Sequence, residues 1–120
     1  MRFKKTENGI IDNKTGLIWK AEDENGLFTF DNAIKQAKST GWRLPNTDEL
    51  KSILDRAKYN PACDPVFKMM PTDYWSSKPN TYDSGYAWGV NFNDGYIGSY
   101  GRDNGLHVRL VRTVEKKNEI

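Results

Sequence analysis

Gly41-Trp42-Arg43-Leu44-Pro45-Asn46-Thr47-Asp48-Glu49-Leu50 is the stretch from which the fold is best read. Asn46 is a strong helix N-cap, and Glu49, three residues on, can return a hydrogen bond to the cap's own N–H as in a capping box. Pro45 holds Leu44 extended and offers its ring to Leu50 as a hydrophobic staple. Asp48 and Glu49 suit the positive end of the helix dipole. The stretch therefore predicts a connection that turns sharply into a helix and carries an indole and a guanidinium into the turn. Such residues organise a fold and do not resemble reaction chemistry.

Working upstream, Phe30, Ala33, Ile34 and Ala37 recur at helical spacing behind the capping residue Thr29, and Gly41 stands where that helix must stop. Further back, Ile10-Ile11-Asp12 and Leu17-Ile18-Trp19 flank Asn13-Lys14-Thr15-Gly16, a hairpin signature. Downstream, Leu50, Ile53, Leu54 and Ala57 extend the second helix until just before Asn60-Pro61. Residues 61–71 read as an irregular connection. From Tyr74 the period changes to that of strands. Tyr74-Trp75-Ser76-Ser77 is short, Tyr86, Trp88, Val90 and Phe92 alternate with Ala87, Gly89 and Asn91, and Asn93-Asp94-Gly95 turns into a partner strand at residues 96–100. Val108-Arg109-Leu110-Val111-Arg112 closes the domain. The order indicates an α+β fold, two helices packed on a twisted antiparallel sheet with long irregular loops. Residues 1–114 are expected to form a single domain and residues 115–120 a polar tail.

Composition narrows the function classes. A chain of 120 residues can build one core without staples, and a formal charge of +2, with acids and bases evenly mixed, gives no reason to expect nucleic-acid or membrane binding. No apolar run approaches membrane-spanning length. The basic start Met1-Arg2-Phe3-Lys4-Lys5 leads into Thr6-Glu7-Asn8-Gly9 and not into the apolar core of an export signal, so the chain as written reads as cytoplasmic, with surface or virion association left open. A single cysteine, Cys63, excludes an internal disulfide and any multi-cysteine metal site. Four tryptophans and six tyrosines make the core, or a binding face, aromatic.

Thr15-Gly16-Leu17-Ile18-Trp19, Trp42-Arg43-Leu44-Pro45, Glu49-Leu50, Tyr74-Trp75-Ser76-Ser77 and Val108-Arg109-Leu110-Val111-Arg112, in this order, resemble the Lcl C-terminal domain family over about residues 9 to 113. The resemblance implies a C-type-lectin-like fold, related to that of the formylglycine-generating enzymes, and a bacterial domain whose relatives are linked to adhesion, to binding of sulfated glycans, or to phage and surface display. Many members carry a cysteine in the first helix and another in the last strand. Ala37 and Leu110 stand at those places here, which implies a member without that cross-link.

The candidate chemistry favours contact over catalysis. Cys63, in a Pro-flanked loop, reads as a small apolar filler. His107, the lone histidine, precedes a strand and suits packing or ligand contact better than general-base work. No spacing singles out a carboxylate pair, so no enzyme is expected. No cofactor is expected either; if calcium were bound, Asp83, Asp94 or Asp103 would supply ligands, although Asn93-Asp94-Gly95 is already explained as a turn. Arg43, Arg109 and Arg112 suit either an anion site or structural pairing. The richest recognition material lies in two loops, from which Asn80, Tyr82, Asp83, Tyr86, Tyr100, Arg102, Asp103, Asn104 and His107 are the expected ligand contacts. The expected ligand is a glycan, a polyanion or a protein surface. A structural subunit of a phage, fimbrial or surface assembly, with homo-oligomers included, is the alternative; an enzyme related to the formylglycine-generating enzymes would have to depend on Cys63.

Overall fold

The structure is a computed structural model and describes residues 1–114; the polar tail expected at 115–120 lies outside the described residues. In chain order the elements are β1 (Phe3–Thr6), β2 (Gly9–Asp12), β3 (Leu17–Trp19), α1 (Phe30–Thr40), α2 (Thr47–Ser52), a 3-10 turn (Pro65–Phe67), β4 (Asp73–Pro79), β5 (Tyr86–Asn91), β6 (Ile97–Gly101) and β7 (Val111–Thr113). The fold is α+β, and all strand pairs within its sheets are antiparallel. Where one sheet was expected, the strands divide into two, ordered β1-β2-β3-β7 and β4-β5-β6. The division arises because β7 returns to the N-terminal hairpin, placing Trp19 beside Val111 and Leu17 beside Thr113.

Both helix starts follow from their caps. The Thr29 side chain accepts from the Asn32 N–H, and Gly41 ends α1 in the left-handed region at φ 79°. At α2 the capping box is complete, with Asn46 Oδ1 accepting from Glu49 N–H at 2.8 Å and Glu49 Oε1 accepting from Asn46 N–H at 2.9 Å. The Arg43 guanidinium then forks onto the same Glu49 carboxylate, both bonds 2.7 Å long. The second helix is shorter than its apolar spacing predicts and stops at Ser52. Ile53 and Leu54 close it with bonds to Leu50 and Lys51, each three residues back. Beyond them Asp55 Oδ1 takes the Ala57 N–H into a local turn that competes with another helical turn.

The core has two parts, and β4 runs between them. Successive strand residues face opposite ways, so Tyr74 enters a cluster with Trp19, Leu50, Phe67 and Phe92, whereas Trp75 enters a cluster with Phe30, Ala33, Leu44 and Leu110. Ala37 and Leu110 share this second cluster, so apolar packing joins the first helix to the segment just before β7. The extended segment 106–111 stitches the halves together. His107 N–H donates to Asp73 and its carbonyl accepts from Trp75 on one side, while the carbonyls of Val108 and Leu110 accept from Glu24 and Lys20 on the other.

Asp12 is fully buried and anchors the N-terminal sheet. Arg2 donates to its two oxygens at 2.9 and 2.8 Å, joined by the Lys14 N–H and the Thr15 hydroxyl. Burial alone would raise this carboxyl, but the Arg2 fork and the other two donors outweigh it and hold the group below the usual carboxylate range. Its stabilising contribution is therefore present above the unfolded carboxyl pKa of about 3.9 and is lost as pH falls through the lower folded value. Urea titrations from pH 6 down to about pH 2.5 should show the parent losing stability faster than Asp12→Asn, which should be the less stable protein at pH 6.

Candidate functional site

The loop 80–85 joins β4 to β5, and the loop 102–106 leaves β6, so both lie at one end of the three-stranded sheet. Their backbones are tied to each other. Arg102 N–H donates to Gly85 O at 2.9 Å, and the Arg102 guanidinium donates to Ser84 O at 3.1 Å. The first loop is braced from within by side-chain turns. Asn80 Oδ1 takes the Tyr82 N–H and Asp83 Oδ1 takes the Gly85 N–H, while Asn80 Nδ2 donates to Ser99 Oγ on β6. The second loop rests on the start of α1, where Arg102 pairs with Asp31 at 2.8 Å and lies 4.8 Å above the Phe30 ring.

The expected contact residues therefore separate into two groups. Tyr82, Asp83, Tyr86, Asp103 and Asn104 are exposed, with Tyr82 at 98%. Asn80, Arg102, Tyr100 and His107 are occupied inside the molecule. Tyr100 packs edge-on against Trp75 and donates its hydroxyl to Asp73 at 2.6 Å. Burial, with Asp73 adding to it, pushes the Tyr100 phenol well above its ordinary value. His107 belongs to a different constellation. Its ring lies 5.4 Å from that of Tyr74, and its Nδ1 is 4.0 Å from the Asp23 carboxylate.

No sequence spacing points to that second constellation. Arg109, 1% exposed, donates to Asp23 Oδ1 at 2.8 Å, to Lys20 O at 3.2 Å and to Phe67 O at 2.6 Å. The Tyr74 hydroxyl donates to the other Asp23 oxygen at 2.6 Å and accepts from the Met70 N–H at 2.8 Å. Burial first and Asp23 second push the Tyr74 phenol far up, so it is a permanent donor. Both Asp23 oxygens, the three Arg109 nitrogens and the Tyr74 hydroxyl hold partners, the signature of bracing. Arg43 has its partner in Glu49, and Arg112 lies 4.7 Å over the Trp42 ring, whose surroundings also include Lys20 at 5.7 Å. Arg109 is thus buried apart from the other two, while Arg43 pairs through its backbone with Val111, next to Arg112, and spends its guanidinium on Glu49.

The carboxylates considered for calcium do not converge either. Asp94 lies in the β5–β6 turn, at the opposite end of the sheet from Asp83 and Asp103, and accepts the Tyr96 N–H. Among the described residues no group of three carboxylates, thiols or imidazoles is gathered for a metal. A shallow cleft of about 310 Å3 opens between α1 and the Trp42–Leu44 segment, and a depression of about 410 Å3 lies beside Arg2, Phe3 and Val66. Neither adjoins the paired loops. No helix among the described residues is long and apolar enough to cross a membrane.

Cys63 is buried within the first apolar cluster. Burial pushes its thiol up to about 11, against which the nearby Arg109 charge acts only in part. Thiolate is then scarce at neutral pH. Iodoacetamide at pH 8 should leave Cys63 largely unmodified in the folded protein and alkylate it promptly in urea, as read by mass spectrometry; equal rates in both states would refute this placement.

The Lcl C-terminal domain family model matches residues 8–112. The chain belongs to that family. The comparison with curated proteins gives no match.

Proposed function

We propose that this member of the Lcl C-terminal domain family is a non-enzymatic recognition module whose paired loops bind a glycan. The observation that carries the reading is Tyr82, an aromatic ring offered almost wholly to solvent at 98% exposure from a loop whose backbone is already ordered. An exposed ring on a preorganised loop costs little further entropy on binding. Tyr86, on the first residue of β5, adds a second partly exposed ring. Asp83, Asp103 and Asn104, exposed on the same two loops, offer hydrogen-bonding groups suited to sugar hydroxyls.

Charge favours a neutral glycan over a polyanion at this face. Arg102 is the cation nearest the loop junction, and Asp31 and the Ser84 carbonyl already engage it. Asp83 and Asp103 add negative charge at the same end, which repels sulfates and carboxylates. The absence of an enzymatic role is part of the same proposal. It is supported by the burial and raised pKa of Cys63 and by the packing of the one histidine against Tyr74.

A glycan array, run with and without calcium, followed by calorimetry on the best neutral oligosaccharide, tests the reading. Tyr82→Ala should weaken binding about tenfold or more, the loss that marks a contact worth above about 1 kcal/mol. Binding unchanged in Tyr82→Ala, or confined to sulfated polymers, would overturn the assignment. Capture of a protein partner with no glycan binding would favour the structural-subunit role instead.

A further inference from the structure

Among the described residues, each sheet edge is guarded except one. The outer side of β4 is filled, since Trp75 N–H donates to His107 O, His107 N–H to Asp73 O and Ser77 N–H to Pro45 O. Pro79 then ends that strand. On the other sheet, β7 is met by Arg43, whose N–H and C=O exchange bonds with Val111. β1 is the remaining edge there, only four residues long and carrying Lys4 and Lys5, both exposed. Short edges with lysines, covering segments and prolines are the usual defences against strand addition. β6 (Ile97-Gly98-Ser99-Tyr100-Gly101) has no charge and no proline, and it is the terminal strand of its sheet.

The direction of its free groups follows from the register. Asn91 N–H donates to Tyr96 O at 2.7 Å and Arg102 N–H donates to Gly85 O at 2.9 Å, at the two ends of the β5–β6 pairing. Hydrogen-bonded and non-hydrogen-bonded pairs alternate along an antiparallel ladder. The pairs Gly89–Gly98 and Ala87–Tyr100 are therefore the bonded ones between those ends. Ile97, Ser99 and Gly101 consequently direct their N–H and C=O groups away from the sheet. Only the Gly101 carbonyl has a partner among the described residues, the Asn104 N–H.

We infer that this β6 edge pairs antiparallel with the β6 edge of a second copy of the chain, about a two-fold axis at Ser99. The occupant is argued from self-complementarity. In that register Ile97 of each copy faces Gly101 of the other and Ser99 faces Ser99, so the outward groups meet one another. The alternate residues leave the edge clear, because the Tyr100 ring leans over Gly89 towards Asp73 of β4. Tyr100 of each copy comes opposite Gly98 of the other, a glycine whose missing side chain is replaced by the Tyr96 ring leaning across it. Tyr96 is 64% exposed in the single chain and becomes covered. One short strand pair makes a small interface, so the dimer forms in the micromolar range. It places two sets of paired loops on one particle, and weak contacts to a repeated ligand gain avidity.

Sedimentation velocity on the full chain from about 1 to 500 µM should show a reversible monomer–dimer equilibrium. Ser99→Pro, which removes an outward N–H and none of the β5–β6 bonds, should weaken the dimer about tenfold or more. Gly101→Lys should do the same, and its circular dichroism melt, with that of Ser99→Pro, shows whether the fold survives. Ser99→Cys should form an intermolecular disulfide under mild oxidation, because bonded antiparallel pairs sit about 5.5 Å apart at Cα, within disulfide reach. A chain that stays monomeric throughout, a dimer indifferent to a folded edge variant, or a dimer that Ser99→Cys does not cross-link would overturn the proposal.

Discussion

A buried guanidinium needs every one of its charges and donors answered, and the way Arg109 is answered sets the layout of this molecule. Its partners come from two distant stretches: the Asp23 carboxylate and the Lys20 carbonyl after β3, and the Phe67 carbonyl in the 3-10 turn. Asp23 in turn holds the Tyr74 hydroxyl of β4. Three remote segments, after β3, at the 3-10 turn and in β4, are thus fixed around one side chain, directly or through Asp23. Taking such a group out of water carries a desolvation cost of several kcal/mol, and leaving either partner alone is worse than removing both.

With that point fixed, the segment 106–111 can run between the two sheets and present its alternate residues to both. Leu106, Val108 and Leu110 pack with Trp75 and α1, while Arg109 reaches the other side. Both apolar clusters are closed by the same extended stretch. The loop 102–106 leads into this stretch, is anchored to Phe30 and Asp31 through Arg102, and is tied by its backbone to the loop 80–85. Their exposed rings and carboxylates can face outward because the loop backbones owe their shape to internal bonds and not to a ligand.

The parts of this design that were legible in the sequence are those whose causes are local. Thr29, Gly41 and the Asn46–Glu49 box mark helix ends within a few residues of the bonds they make. The alternation from Tyr86 to Asn91 shows one strand directly. Asp23 and Arg109 are separated by 86 positions, and no spacing rule joins residues so far apart. The same distance hid the return of β7 to β3, and with it the splitting of the strands into two sheets. Asp55, reading as one more polar helical residue, instead competes for the backbone and ends α2 early. Phe92 is drawn into the core and donates its N–H to Thr72 O, so the turn that follows is longer than Asn93-Asp94-Gly95 alone suggests. In the candidate site, composition separated loop from core correctly for Tyr82, Tyr86 and Asp83. It could not distinguish Tyr100 and His107, because the carboxylates that engage or adjoin them, Asp73 and Asp23, are remote in the chain.

A double-mutant cycle on Arg109 and Asp23, read by urea unfolding at neutral pH, tests the central role of this pair most directly. Arg109→Met and Asp23→Leu should each destabilise by about 3 kcal/mol or more, and the double variant should be little worse than either alone. Single effects that simply add, to within about 0.5 kcal/mol, would contradict the account.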